Sequence, residues 1–120
     1  MIASGVGGLA KLEKITADTW PPQFGGSLRT ETFIDATFPV TGGTWEIVTK
    51  YNGLKVDTQR GDLCEFGDIS CPLPEGRNVV VNEGVFPSSS PAGSYAMRTE
   101  VKASDGRVVY CYIVEFNAKK

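Results

Sequence analysis

Three cysteines, three neighbouring carboxylates and a set of alternating aromatics are the side chains here with chemical potential. Cys64 and Cys71 are separated by six residues that include Gly67 and Asp68. A short disulfide loop closes easily over that span and would stabilise the fold by roughly 2–3 kcal/mol, in the chain-entropy account. A pair of reduced thiols is the alternative; a disulfide would place the chain in an oxidising compartment. No metal site is expected, because structural zinc wants four Cys or His ligands and the chain has three cysteines and no histidine. Cys111 lies opposite an aromatic stripe in the last run of alternating residues, and with no histidine to activate it, it reads as an unpaired, inert thiol. Asp62, Glu65 and Asp68 cluster around the Cys loop, but an acidic surface loop is ordinarily solvated. A glycosidase would need two carboxylates facing one another. Gly5-Val6-Gly7-Gly8 precedes a strand pattern and lacks a following Lys-Ser/Thr, so it is no phosphate loop. No enzyme is expected from this set, and no cofactor.

Composition excludes further classes. At 120 residues, 41% hydrophobic and 22% charged, the chain fits one globular domain over 1–120. A net charge of −2 offers no basic footprint, so no nucleic acid partner is expected. No apolar run approaches the ~20 residues of a helical membrane span. The start, Met1 to Ala10, is apolar and Gly-rich, but it lacks a basic n-region and is short for a secretory signal.

The elements that must position these side chains are strands, because alternation of period two recurs and no stretch holds a helical period. A first strand is expected from Leu9 to Ala17, with Leu9, Lys11, Glu13 and Ile15 on one face. Ser27 to Phe38 puts Thr30, Thr32, Ile34 and Ala36 on one face. Thr44 to Tyr51 aligns Trp45, Ile47, Thr49 and Tyr51, and Asn52-Gly53 turns it into Leu54 to Asp57. A valine-rich run spans Asn78 to Phe86, and Pro87 to Gly93 is loop by composition. Ser94 to Val101 aligns Tyr95, Met97, Thr99 and Val101. After Asp105-Gly106, Arg107 to Phe116 aligns Val108, Tyr110, Tyr112, Val114 and Phe116. About seven short strands with turn signals every eight to twelve residues imply an all-β antiparallel sandwich or barrel; in a sandwich, two amphipathic antiparallel sheets bury their apolar faces against one another. Inward threonines at 30, 32 and 49 are odd for a dry core and weigh towards a cavity between the sheets.

The cysteine segments then resemble a known family. Gly61-Asp62-Leu63-Cys64 and Cys71-Pro72-Leu73-Pro74-Glu75-Gly76 look like the disulfide loop of the ML lipid-recognition domain. Phe86-Pro87, Pro91-Ala92-Gly93-Ser94-Tyr95 and Asp105-Gly106-Arg107-Val108-Val109-Tyr110-Cys111 are similar to its later motifs, in order. Gly42-Gly43 and Tyr51-Asn52-Gly53 fit upstream, so the likeness runs from about Leu9 to Phe116. Within the family it is most similar to the phosphatidylglycerol/phosphatidylinositol transfer proteins, relatives of the Niemann-Pick type C sterol carrier. The resemblance implies an immunoglobulin-like sandwich whose sheets splay to admit lipid, in a secreted, vacuolar or endolysosomal location. The family pairs the cysteine matching Cys111 with one in the first strand. That position falls near Met1 to Ala3, where no cysteine stands, so a truncated or naturally altered N-terminus is expected.

The expectation is a non-enzymatic, monomeric carrier of phospholipid or sterol, in transient contact with membranes or a membrane acceptor protein. A chain of about sixteen methylenes would gain roughly 12 kcal/mol on leaving water. Alternation and resemblance together place Thr32, Ile34, Trp45, Ile47, Tyr51, Val79, Val81, Tyr95, Met97, Tyr112, Val114 and Phe116 on the cavity wall. The loop Phe86 to Gly93 and the hairpin near Asn52 are the expected rim. The alternative is an immunoglobulin-like protein-interaction module or receptor accessory subunit with a filled core.

Overall fold

The cross-strand pairing converts this alternation into two facing surfaces. The computed structural model describes residues 2–66 and 69–119. Eight strands form among them: β1 (Ile2–Gly7), β2 (Ala10–Ala17), β3 (Ser27–Ala36), β4 (Gly43–Tyr51), β5 (Leu54–Asp62), β6 (Gly76–Val85), β7 (Gly93–Ala103) and β8 (Val108–Ala118). A single 3₁₀ turn covers Leu63–Glu65. One sheet has the order β1-β8-β7-β4-β5 and the other β2-β3-β6, with every pairing antiparallel. The result is all-β, as the alternation implies, and a sandwich of the immunoglobulin-like kind that the family resemblance implies.

Residues directly opposite across antiparallel strands share a face, so the inner surface of the larger sheet reads as rows. Gly61–Trp45–Val101–Tyr110 is one, Gln59–Ile47–Thr99–Tyr112 the next, then Asp57–Thr49–Met97–Val114 and Leu54–Tyr51–Tyr95–Phe116. The smaller sheet answers with Ala10–Ala36–Gly76, Leu12–Ile34–Asn78, Ile15–Thr32–Val80 and Ala17–Thr30–Asn82. The hairpin at Asn52-Gly53 has both central residues at positive φ, 48° and 84°, the backbone that matches the twist of its flanking strands.

Three details depart from the sequence reading. β1 is an additional strand, paired along β8 in a stretch with no alternation to announce it. Glycine permits its close approach: a Cβ on Gly5 would press on Leu12 and Tyr112, and one on Gly8 would meet the Val108 carbonyl. In β2 a bulge between Leu12 and Lys14 switches the inward face. Ala10, Leu12 and Ile15 therefore share the interior while Lys11 and Glu13 are exposed. β5 runs to Asp62 rather than Asp57, carried by its ladder to β4 and not by its own polar sequence.

Candidate functional site

The inner faces gather into two apolar clusters at opposite ends of the sandwich. The first holds Ile34, Ala36, Val40, Leu63, Phe66, Ile69, Leu73, Val80, Val101 and Tyr110, with Trp45 and Ile47 packed against it. Its floor is the segment around the Cys64–Cys71 disulfide, whose Cα atoms are 5.4 Å apart. Asp62 caps the 3₁₀ turn there, accepting from the Cys64 N–H at 2.8 Å. That role, rather than acid–base chemistry, accounts for a carboxylate beside the bridge. Glu65 is exposed, and Gly67 and Asp68 lie outside the described residues. The chain past the bridge is tied back by reciprocal Val40–Leu73 hydrogen bonds of 2.9 and 2.8 Å.

The second cluster is aromatic. Tyr95, Phe116 and Ala118 are buried, with Trp20, Phe24, Tyr51, Phe86 and Met97 packed around them. Tyr95 and Phe116 stack at 5.4 Å, and Phe86 meets both rings edge-on at 5.4 and 5.8 Å. Trp20 meets Phe116 edge-on at 5.3 Å. Such offset and edge-on pairs suit the ring quadrupole. The two tyrosine hydroxyls are turned to the rim: Tyr51 donates to the Ala92 carbonyl and Tyr95 to that of Pro91, each at 2.6 Å. Asn52 accepts from the Ser94 N–H at 3.0 Å. The loop Phe86 to Gly93 and the hairpin near Asn52 are thereby joined at this end. Burial raises the Tyr95 phenol above its ordinary range, with neighbouring Tyr51 adding to it against a hydrogen bond to Ser90. It is neutral at any ordinary pH.

Along β8, Tyr110 of the first cluster and Phe116 of the second are six residues apart, roughly 20 Å at strand rise. The zone between carries Thr99, Tyr112, Thr49, Met97 and Val114 on one sheet. The inner face of the smaller sheet carries Thr32, Thr30 and Ile15. Thr32 and Thr99 are buried, and Thr30 donates to the Asn82 carbonyl at 3.3 Å. This mixed belt is less apolar than either cluster.

Ten of the twelve expected wall residues face inward: Thr32, Ile34, Trp45, Ile47, Tyr51, Tyr95, Met97, Tyr112, Val114 and Phe116. Val79 and Val81 do not. They pair with Phe33 and Glu31 on the outer face, and Val79 is 44% exposed. Val80 takes the interior instead, at 2%. The reason is that alternation offers a face with Asn78, Val80 and Asn82 against one with two further valines. Asn78 bears the interior because its amide donates to the Pro74 and Gly76 carbonyls at 2.8 and 3.1 Å. Trp20 and Phe24 were not expected there, since they come from the β2–β3 connection, which carries no periodicity.

Among the described residues, two inward polar atoms are buried without a hydrogen-bond partner, Trp45 Nε1 and Tyr110 Oη. Both belong to the row nearest the disulfide. Burial, with Tyr112 stacked alongside, raises the Tyr110 phenol far above its usual value. Cys111 is a free, half-buried thiol on the outer face, opposite Glu100. Burial raises it too, so it stays protonated and poorly nucleophilic.

Among the recesses on the described surface, two stand away from the interior. One of about 640 Å³ is lined by Pro21, Pro22, Gln23, Phe24, Asn117 and Lys119 at the aromatic end. The other, of about 410 Å³, is lined by Thr44, Glu46, Arg60, Gly61, Glu100 and Lys102. None of the twelve expected wall residues lines either one.

Comparison with known proteins agrees with this architecture. A Niemann-Pick type C2 protein from the Japanese carpenter ant superposes with a TM-score of 0.79 at 12% identity, over 99% of this chain and 100% of that one. The C-terminal domain of wzt gives 0.68 at 15% identity, over 99% of this chain and 78% of its own. At such identities the likeness is one of fold. In sequence, a phosphatidylglycerol/phosphatidylinositol transfer protein of Pyricularia oryzae is 27% identical over 89% of this chain and 62% of its own length. A protein of the same description from Emericella nidulans is 25% identical over 88% of this chain and 64% of its own. The chain thus spans about three-fifths of the length of these relatives. The ML domain matches residues 8–118, from the turn before β2 to the end of β8, and the chain belongs to the ML domain family.

Proposed function

We propose that the protein is a lipid carrier that holds an acyl chain or sterol between its two sheets and moves it between membranes without catalysis. The observation that carries this reading is the ML domain match over 8–118, supported by relatives described as phosphatidylglycerol/phosphatidylinositol transfer proteins. The geometry suggests how it works. The aromatic cluster and the belt around Met97 and Val114 would part to admit an apolar chain. Its methylenes gain about 0.8 kcal/mol each on leaving water. The disulfide end would keep the sheets in register meanwhile. Thr32, Ile34, Trp45, Ile47, Tyr51, Tyr95, Met97, Tyr112, Val114 and Phe116 form the proposed wall, with Val80 in place of Val79 and Val81. Cys64–Cys71 fits a secreted, vacuolar or endolysosomal lumen.

A protein-interaction module with a filled interior is the second reading, favoured by the position of both recesses away from the expected wall. Native mass spectrometry of the protein from its own host separates them. A stoichiometric co-purifying phospholipid or sterol is the expected result. Protein that carries no lipid and takes up neither phospholipid nor sterol probes would sink the carrier.

A further inference from the structure

The β4–β5 hairpin carries features for which the interior has no use. Leu54 and Val56 are 73% and 58% exposed on β5, the free edge of the larger sheet. Val85 is 66% exposed on β6, the free edge of the smaller one, next to Phe86 of the aromatic cluster. Scattered apolar side chains are ordinary on a surface; several flanking one end of a molecule mark a contact region. Leu54 also begins the row Leu54–Tyr51–Tyr95–Phe116, so apolar side chains continue from the exposed edge into the buried cluster.

The charges here are arranged unlike those elsewhere. Lys50 and Lys55 are exposed and sit directly opposite each other across β4 and β5. Like charges so placed repel. Arg29, Arg60, Arg77, Arg98, Lys102 and Arg107 each meet a carboxylate. Lys14 lies over the Phe33 ring, and Lys11 is opposite Asp35. Lys50 and Lys55 form no ion pair among the described residues; Lys119, beside the recess at the aromatic end, forms none either but has no second lysine opposite it. Glu115 stands two strands away along the same row, and Asp57 accepts from the Gln59 amide at 3.3 Å. A hairpin with an apolar inner edge and an uncompensated cationic outer face is complementary to one surface above others: apolar just beneath, anionic on top.

We propose that the β4–β5 hairpin docks the protein on an anionic lipid bilayer, Leu54 and Val56 entering the headgroup layer while Lys50 and Lys55 meet lipid phosphates. This rests on the carrier reading and adds to it the face that meets the membrane and the charge that membrane must bear. Docked so, the row through Tyr51 and Tyr95 leads from the bilayer to the aromatic cluster.

The test is sedimentation of the full chain with vesicles of phosphatidylcholine alone and of phosphatidylcholine mixed with phosphatidylglycerol. The expected result is binding to the mixed vesicles that weakens with salt. K50Q/K55Q should lose roughly fivefold per lysine, about twenty-fivefold together. L54S/V56S should lose binding while keeping the thermal unfolding of the parent, since both side chains are exposed. Equal binding to the two vesicle types, or a K50Q/K55Q variant that binds as the parent does, overturns the proposal. So does a chain that sediments as a dimer and that L54S/V56S renders monomeric, which would make the patch an interface between copies. Uptake of a fluorescent phospholipid from detergent micelles, where no bilayer is present, separates the two readings. No uptake beside lysine-dependent vesicle binding would fell the carrier and leave the docking surface standing. Uptake beside lysine-independent vesicle binding would do the reverse.

Discussion

The two ends of the sandwich are built from the same strands yet solve different problems. The disulfide end packs aliphatic side chains with Phe66, Trp45 and Tyr110, and it is tied by the Cys64–Cys71 bridge, the Asp62 cap and the Val40–Leu73 pair. The aromatic end has no such bridge among the described residues: it is held by ring contacts, by two tyrosine hydroxyls bonded to one loop, and by main-chain bonds of Phe86 to Gly25 and Gly26 at 2.7 and 3.0 Å. A covalent bridge resists separation of the segments it joins, whereas ring-on-ring contacts survive small sliding movements. On the carrier reading proposed above, the bridged end would keep register and the aromatic end would open.

That division can be broken by experiment. The largest effect is expected from Leu63→Ala, a fully buried site beside the bridge, which should lower stability by about 2–5 kcal/mol in denaturant titration. Folded Leu63→Ala protein should still take up a lipid probe; loss of uptake without loss of fold would erase the distinction. Removing the bridge with C64S/C71S should cost roughly 2–3 kcal/mol, with uptake again retained at low temperature. At the other end, Phe86→Ala deletes contacts to Phe24, Tyr95 and Phe116. It should cost about 1–2 kcal/mol of stability and speed release of a bound fluorescent lipid about tenfold. Release at the parent rate would move the opening elsewhere.

Tyr110→Phe sharpens the contrast from the stable side. Its hydroxyl is buried without a partner, so removing it should leave stability unchanged or raise it by up to about 1 kcal/mol, read from the melting temperature. A marked loss would show that the hydroxyl has a partner in solution.

The smallest effect concerns the outer face. Burial alone pushes the Glu100 carboxyl up, but the Arg98 hydrogen bond at 2.8 Å and the charges of Arg98 and Lys102 outweigh it. Its folded pKa is therefore below the ordinary value of about 4.3. The stability it contributes is present above that value and is lost as pH falls through the lower folded one. Glu100→Gln should flatten this acid limb by about 0–1 kcal/mol in melts recorded across acid pH, as expected of a partly exposed pair. Between pH 5 and 8 the variant should melt below the parent by that constant small amount, since no histidine titrates there, and the difference should fade as pH falls through the acid limb.

Much of the fold is legible in the residues, and the reasons are local. Alternation at Thr30, Thr32, Ile34 and Ala36, or at Tyr95, Met97, Thr99 and Val101, orients those strands because a side chain's face depends only on parity. Asn52-Gly53 announces a hairpin because few residues tolerate positive φ. The inward faces, on which the proposed wall is drawn, were legible wherever a strand alternated cleanly. It failed at Val79-Val80-Val81, where a continuous run carries no parity and the pairing of Val80 with Thr32 decides. It failed also at Glu13, where a bulge resets the count.

By itself, then, the amino-acid sequence determined an all-β chain, the faces of its alternating strands, a closable Cys64–Cys71 loop and a lone thiol at Cys111. Those are properties of neighbours along the chain. The tertiary structure alone decided that β1 would pair with β8 and that Trp20 and Phe24 would join the aromatic cluster. It decided too that Tyr110 would be buried without a partner, and that Leu54 and Val56 would stand exposed on the free edge of a sheet. Each of these depends on which distant segment arrives opposite, and that is set by the packing of the two sheets rather than by any period in the residues.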